Sequence, residues 1–258
     1  MANWVACYSI YNENKFIEMS IRNVVEHMDR IIIVEGCWNN GSSITKSLRS
    51  TDGTIDTIER LKKEFPKIEL YFENRDKEQR QRDSYLEKLD NNDMVLWMDG
   101  DEAVLKKELK DAKEYAEYMI NKLGHQMLFS HYINVYDGFA LTDDHIRGLF
   151  FKFRSDLRYL DDERVKQRPA EVYLFENYGR GALYNKSMPV IPWEIIKVFH
   201  FKYCKDLDKL VERKLMYDKI WYGLPEDKIE ERRKEMMEAG KTNFVPNSER
   251  LYTGDFPL

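Results

Sequence analysis

The sequence has little cysteine, no long apolar run and no excess of positive charge, and each shortage excludes a class of protein. Its three cysteines are Cys7, Cys37 and Cys204, and no two of them form a CxxC pair. An odd number without that spacing argues against a disulfide scaffold or a zinc knuckle and is typical of a reducing compartment. No segment approaches the roughly 18 consecutive apolar residues that a membrane-spanning helix needs.

The net charge and the N-terminal stretch narrow the expected ligands and location of the protein. The formal net charge is −5, which argues against nucleic acid as the main ligand. The N-terminal stretch "MANWVACYSIYNENK" lacks the basic flank and long apolar core of a signal peptide. We therefore expect a cytoplasmic protein with no nucleic-acid partner and no transmembrane segment, and the 43% of hydrophobic residues can build a large core.

Apolar and amphipathic segments alternate along the first hundred residues. Four apolar runs predict buried strands at 4–10, 30–36, 67–73 and 93–99, and helical patterns lie between them at 16–28, 56–65 and 75–90. Such alternation is typical of a parallel, doubly wound α/β sheet. Apolar runs without a polar alternation fit strands that are covered on both faces.

From about residue 104 the pattern becomes mixed. It predicts a long helix at 104–123, strands within "QMLFSHYINVY", "GLFFKFRS" and "IIKVFHFKY", and two charged helices at 206–222 and 226–239. Without a repeat or a clear linker, we expect one domain over 1–258. Its nucleotide-binding half would be 1–103, its acceptor side and C-terminal helices 104–240, and 241–258 a tail.

Acidic residues follow the predicted strands at the point where each strand ends. Glu13, Glu35 and the pair Asp99 and Asp101 all have this position. Because ligands of parallel sheets bind beyond the carboxyl ends of the strands, these side chains should converge on one cleft. Clustered carboxylates repel one another, so a metal ion, a basic side chain or a proton must neutralise them.

The segment "VLWMDGDE" places two aspartates at the end of a predicted strand. Asp99 and Asp101 flank Gly100, and two carboxylates at this spacing can share a hard cation such as Mg²⁺ or Mn²⁺. A solvated turn before a helix N-terminus is the alternative interpretation.

Several linked motifs resemble one family. The sequence runs through "IYNENKFIEMSIRNVVEHMDRIIIVEG", "STDGT", "RQRDSYL" and "VLWMDGDE" in that order. This order and spacing resemble the family 2 glycosyltransferases, which have the GT-A fold and belong to the nucleotide-diphospho-sugar transferase superfamily. The resemblance covers roughly residues 3–105 and extends loosely to the segment with His200.

The resemblance implies a role for each matching position. The metal ligands for Mn²⁺ or Mg²⁺ would be Asp99, Asp101 and His200, although a lone histidine in an apolar strand is more often a core residue. The nucleotide-sugar site would comprise Tyr11, Glu13, Glu35, Asp52, Arg82, Gly100 and Lys214. Glu35 stands where the family has aspartate, Asp83 stands where it has asparagine, and Asp52 also fits a turn with a helix cap. Lys202 is a further candidate for the diphosphate.

The family inverts the anomeric centre, which requires a carboxylate to deprotonate the acceptor hydroxyl. The candidates are Asp161, Asp162, Glu163, Glu171 and Glu194, and we favour Asp162 or Glu163, because they follow a strand that resembles the acceptor side of the family.

These observations predict a metal-dependent inverting glycosyltransferase. Its donor would be a UDP-, GDP- or dTDP-sugar, and its acceptor a glycan or lipid-linked hydroxyl, which the aromatic-rich second half suits. A sugar-phosphate nucleotidyltransferase is an alternative, but "YSIYNENK" lacks the Gly-rich basic loop of that class. A catalytically silent nucleotide-sugar or glycan-binding module is another alternative, disfavoured by the intact Asp99 and Asp101.

Overall fold

The four apolar runs of the first hundred residues form neighbouring parallel strands. The computed structural model describes residues 3–38, 42–45, 47–76, 78–136, 139–155, 189–241 and 250–251. Within these ranges, the first strands are β1 (Trp4–Ile10), β2 (Arg30–Glu35), β3 (Ile68–Phe72) and β4 (Met94–Asp99). Strand β1 pairs in parallel with β2 on one side and β4 on the other, and β2 pairs in parallel with β3. The predicted parallel half is confirmed.

Helices cover both faces of these strands. The helices of the first half are α1 (Ile17–Val24), α2 (Ser42–Thr45), α3 (Thr54–Glu64), α4 (Glu78–Leu86) and α5 (Lys106–Asn121). Alternate residues of a strand point to opposite faces. Ala6 and Tyr8 accordingly pack in one cluster with α1, α3 and α5, whereas Val5 and Cys7 pack in another with Tyr85 of α4. Burial on both faces explains why the strands are apolar throughout.

The second half continues the same sheet with mixed strand directions. Its strands are β5 (Glu102–Ala103), β6 (Met127–Tyr136), β7 (Phe139–Lys152), β8 (Lys197–His200) and β9 (Arg250–Leu251). Strands β6 and β7 form an antiparallel hairpin, β7 runs antiparallel to β4, and β6 runs parallel to β8. The order across the sheet is β3-β2-β1-β4-β7-β6-β8-β5, and β9 pairs with β7. The described residues therefore form a nine-stranded α/β sheet with a mixed second half, which confirms the predicted fold class.

Two C-terminal helices complete the described chain, α6 (Leu207–Tyr222) and α7 (Ile229–Ala239). Their predicted bounds are close to the observed ones. The strand predicted from 195 to 203 is shorter, because a 3₁₀ turn at Lys202–Cys204 follows β8 and closes with a bond from Cys204 N to Phe201 O. Among the described residues, no helix combines the length and the apolar composition that crossing a membrane requires.

Some sequence-based predictions lie outside the described residues. They include the candidate bases Asp161, Asp162, Glu163 and Glu171 and nearly all of the tail at 241–258.

Candidate functional site

A pocket lies beyond the carboxyl ends of β1, β2 and β4. The loops that follow the three strands line it with Tyr11 and Glu13, with residues 36–38, and with the turn 99–101. Arg82 of α4 lines one side, and Lys205 together with α6 lines another. Elements far apart in the sequence thus meet where parallel strands place their ligands.

Asp99 and Arg82 form the first ion pair of the pocket. Arg82 is nearly buried, and its Nη2 donates to both carboxylate oxygens of Asp99, at 3.1 and 3.3 Å. The Arg82 guanidinium also lies 4.8 Å from the ring centroid of Trp97 on β4. These contacts fix both side chains at the pocket wall.

Asp101 is fully buried between two cations. Its Oδ2 lies 2.9 Å from Lys205 Nζ and 2.8 Å from Arg213 Nη1. Burial raises the pKa of Asp101, but Lys205 and Arg213 lower it by more, and the pKa lies well below the ordinary value. The other oxygen, Oδ1, is buried and has no hydrogen-bond partner. Asp101 is therefore a carboxylate with one oxygen still able to accept a ligand.

Glu13 shares Lys205 with Asp101. Lys205 Nζ donates to Glu13 Oε1 at 2.6 Å, and burial raises the pKa of Glu13 to about 7 although Lys205 opposes the shift. Gly100 lies directly against this side chain. A Cβ at Gly100 would stand 2.6 Å from Glu13 Cγ, so only glycine lets the turn approach Glu13 this closely.

Glu102 bonds to the backbone of the turn at 99–101. It is fully buried, forms an ion pair with Arg147 and accepts a hydrogen bond from the Tyr132 hydroxyl. Its Oε2 also accepts the backbone N–H of Asp99 at 2.7 Å. Basic side chains thus neutralise the carboxylates at positions 13, 99, 101 and 102.

His200 lies beside Asp101. His200 Nε2 lies 3.9 Å from Asp101 Oδ2, and its Nδ1 lies 3.1 Å from Asn134 Oδ1. Burial lowers the pKa of His200 to about 3, so the ring is neutral, which is the form that binds metals. In the described part of the chain, no three His, Cys, Asp or Glu side chains form a group that could hold a metal ion. His200 is not among the residues that line the pocket.

The side chains of Glu35 and Asp52 accept hydrogen bonds from backbone N–H groups of the loops. Neither residue is among those that line the pocket. Glu35 is fully buried and accepts Ser50 N at 2.7 Å. Asp52 accepts Thr54 N at 3.1 Å and Asn14 N at 3.2 Å, as expected of a turn with a helix cap.

Helix α6 supplies pocket residues that the sequence reasoning missed. Arg213 contacts Asp101, whereas the predicted Lys214 pairs with Asp218 on its own helix at 2.5 Å. The side chains that line the pocket from this region are Lys205, Lys209, Glu212, Arg213 and Met216. Lys209, Arg213 and Met216 are spaced four and three residues apart, so they share one face of the helix, but this spacing alone does not show that the face meets the pocket.

The comparisons with known proteins give structural likeness only. No protein-family model and no curated protein matches the chain. The crystal structure of S. aureus TarS 1-349 is 14% identical with a TM-score of 0.48, over 93% of this chain and 73% of that one. A longer TarS structure has a TM-score of 0.45 and 14% identity, and the match covers 91% of this chain and 43% of that one. Mannosyltransferase PcManGT from Pyrobaculum calidifontis, in complex with GDP-Man and Mn²⁺, is 12% identical with a TM-score of 0.47, over 93% and 75% of the two chains. Because these TM-scores are all below 0.5, the comparisons support no conclusion about the function of this chain.

Proposed function

We propose that this protein is a glycosyltransferase that binds a nucleoside-diphosphate sugar in the pocket at the strand ends. The observation that carries the proposal is the buried Asp101, held between Lys205 and Arg213 beside the Arg82–Asp99 pair. This arrangement combines carboxylates for a divalent ion with cations for a diphosphate, at the edge of the sheet where nucleotides bind. The order of motifs in the sequence supports the same function.

The cations of the pocket suit a diphosphate. Arg82, Lys205, Lys209 and Arg213 all line it, and each has an acidic partner. A guanidinium presents a fork of N–H donors that matches phosphate oxygens, and a lysine adds a point charge. A bound diphosphate would share these cations with the carboxylates, so its charge would enter a site already built to stabilise it.

The proposal includes a divalent cation, Mn²⁺ or Mg²⁺, held by Asp101 and His200. The sequence-based prediction adds Asp99, both of whose oxygens accept from Arg82 here. The ion would supply Lewis-acid stabilisation of the charge on the leaving nucleoside diphosphate. The buried Oδ1 of Asp101, which lacks a hydrogen-bond partner, is the observation that supports this fit.

The side chains around the pocket have two tasks in this mechanism. Arg82, Lys205 and Arg213 bind the diphosphate and stabilise the negative charge that grows as the bond to the sugar breaks. A carboxylate takes the proton of the acceptor hydroxyl, and the proposal keeps Asp162, Glu163 and Glu171 as its candidates. Attack opposite the leaving group would invert the anomeric centre, and the acceptor would be a glycan or another hydroxyl compound.

The test is a panel of UDP-, GDP- and dTDP-sugars added to the full chain with and without Mn²⁺. Binding to the folded state should raise the midpoint of thermal unfolding, and chromatography should detect the released nucleoside diphosphate. We expect Asp101→Asn to reduce turnover at least about 100-fold. Asp111→Asn, the same change at an exposed position of α5, should leave turnover unchanged.

Two results separate the parts of the proposal. If no nucleoside-diphosphate sugar binds or turns over under any condition, the proposed function is wrong. Full turnover in excess chelator, with Asp101→Asn still inactive, would refute only the role of the metal ion.

A further inference from the structure

The pocket has two chemically different ends. The charged end contains Asp101 with Lys205 and Arg213. At the other end, Tyr11 and Trp38 pack against a cluster that includes Cys37 and Met216, and these four residues also line the pocket. We call this second group the aromatic end. Aromatic and thioether groups suit the flat faces of a nucleobase, so a nucleotide with its diphosphate at the charged end would place its base here.

A single acidic side chain from α6 reaches the aromatic end. Glu212 lines the pocket one residue before Arg213, and its side chain is 21% exposed. Val211 and Met216 of the same helix pack in the cluster that contains Cys37 and borders Tyr11 and Trp38, which places Glu212 beside the aromatic end. Lys209 Nζ forms an ion pair with Glu212 Oε2 at 3.8 Å. Burial raises the pKa of Glu212, and the charges of Lys209 and Arg233 oppose that shift.

An ionised carboxylate only accepts hydrogen bonds, so it discriminates between nucleobases by their donors. Guanine presents two adjacent donors, N1–H and the N2 amino group, which match the two oxygens of a carboxylate. Uracil and thymine present one N3–H between two carbonyl oxygens, and those oxygens would be repelled by Glu212. A buried acceptor facing another acceptor costs binding free energy in addition to the lost bond.

From this geometry we propose that Glu212 selects a guanine nucleotide by accepting hydrogen bonds from the N1–H and N2 amino groups of the base. The inference rests on the proposed function and names its donor class, a GDP-sugar. The same carboxylate could instead accept from the ribose hydroxyls, which all the candidate donors share. That alternative predicts no selection between bases, so one experiment distinguishes the two.

The experiment is calorimetric titration of the full chain with GDP and with UDP, in the presence of Mn²⁺. The wild type should bind GDP at least about 10-fold more tightly than UDP, because a matched pair of hydrogen bonds is present in one complex only. In Glu212→Gln the side chain offers one acceptor and one donor. It therefore loses one bond to guanine and gains a match to the N3–H and O4 of uracil, so the ratio should fall to about 1 or reverse.

Glu238→Gln is the matched control. It removes the same charge from α7, at a side chain that is 69% exposed, and should preserve the GDP preference. Equal loss of GDP and UDP affinity in Glu212→Gln would assign the carboxylate to the ribose and overturn the inference, as would a wild-type protein that prefers UDP. If neither nucleotide binds the wild type, the proposed function fails as well.

Discussion

At the scale of single residues, the ionisation of Glu13 in the pocket is strongly shifted. Burial raises its pKa from 4.5 to about 7 in the folded protein, whereas an unfolded chain exposes it to water. A raised pKa contributes stability that is fully present below pH 4.5 and is lost as the pH rises to about 7. Over that interval, the contribution of Glu13 to the free energy of unfolding should fall by on the order of 3 kcal/mol.

The prediction concerns the difference in the free energy of unfolding between Glu13→Gln and the wild type. The amide does not titrate, so the stability of the variant relative to the wild type should improve by on the order of 3 kcal/mol between pH 4.5 and 7. The difference should then stay constant above pH 7. Urea unfolding of both proteins at four pH values from 4.5 to 8 measures it.

The titration of His200 also changes the stability of the wild type with pH, so the wild-type pH dependence alone does not isolate the contribution of Glu13. Its lowered pKa of about 3 has the opposite effect, because it contributes stability that is lost as the pH falls below 6.5. Subtracting the two curves removes this common contribution and leaves that of Glu13. A difference that does not change with pH would contradict the raised pKa of Glu13.

At the scale of elements, the sequence predicted the strands better than the side chains that α6 presents to the pocket. Strands β1, β2 and β4 are buried on both faces, so their apolar runs have few other interpretations. Their parallel direction then brings Asp99 and Asp101 to the same edge as Glu13. That part of the pocket could be derived from local pattern alone.

The basic partners could not be derived in the same way. Lys205 is 192 residues from Glu13, and Arg213 is 112 residues from Asp101, so no local pattern connects them. The sequence pointed to Lys214, one residue from Arg213. On a helix, one residue is a rotation of about 100°, and only the packing of α6 fixes which of the two faces the pocket.

Two variants of α6 decide between these neighbours. Arg213→Gln removes a charged donor from the pocket and should weaken binding of nucleoside diphosphates by about 10- to 100-fold, since a hydrogen bond to a charged group contributes about 1.5–3 kcal/mol. Lys214→Gln removes the partner of Asp218 and should change affinity less than about 3-fold, because Lys214 is not among the residues that line the pocket. Calorimetric titration with GDP and UDP measures both. A larger loss in Lys214→Gln would restore the sequence-based prediction.

At the scale of the whole molecule, a shared sheet joins the two halves. Strand β7 pairs with β4, and one core cluster includes Trp4 and Ile31 from the first half with Phe150 and Val198 from the second. The Phe150 ring is fully buried and meets the Trp4 ring edge-on at 5.5 Å. A core that spans both halves supports the proposal of one domain, because neither half keeps its apolar surface covered alone.

The whole chain should therefore unfold in one step, even when a core contact between its halves is weakened. Phe150→Ala should lower the free energy of unfolding by about 3–5 kcal/mol, because it removes a buried ring and leaves a cavity. Urea unfolding followed by tryptophan fluorescence and by far-UV circular dichroism should give coincident transitions in both proteins. Phe72→Ala, at the exposed edge strand β3, loses the ring beside Arg49 and should cost less than about 1 kcal/mol. A shared core would lose its contacts in both halves at once. If the two probes give separate transitions in Phe150→Ala, the halves unfold independently and the one-domain proposal is wrong.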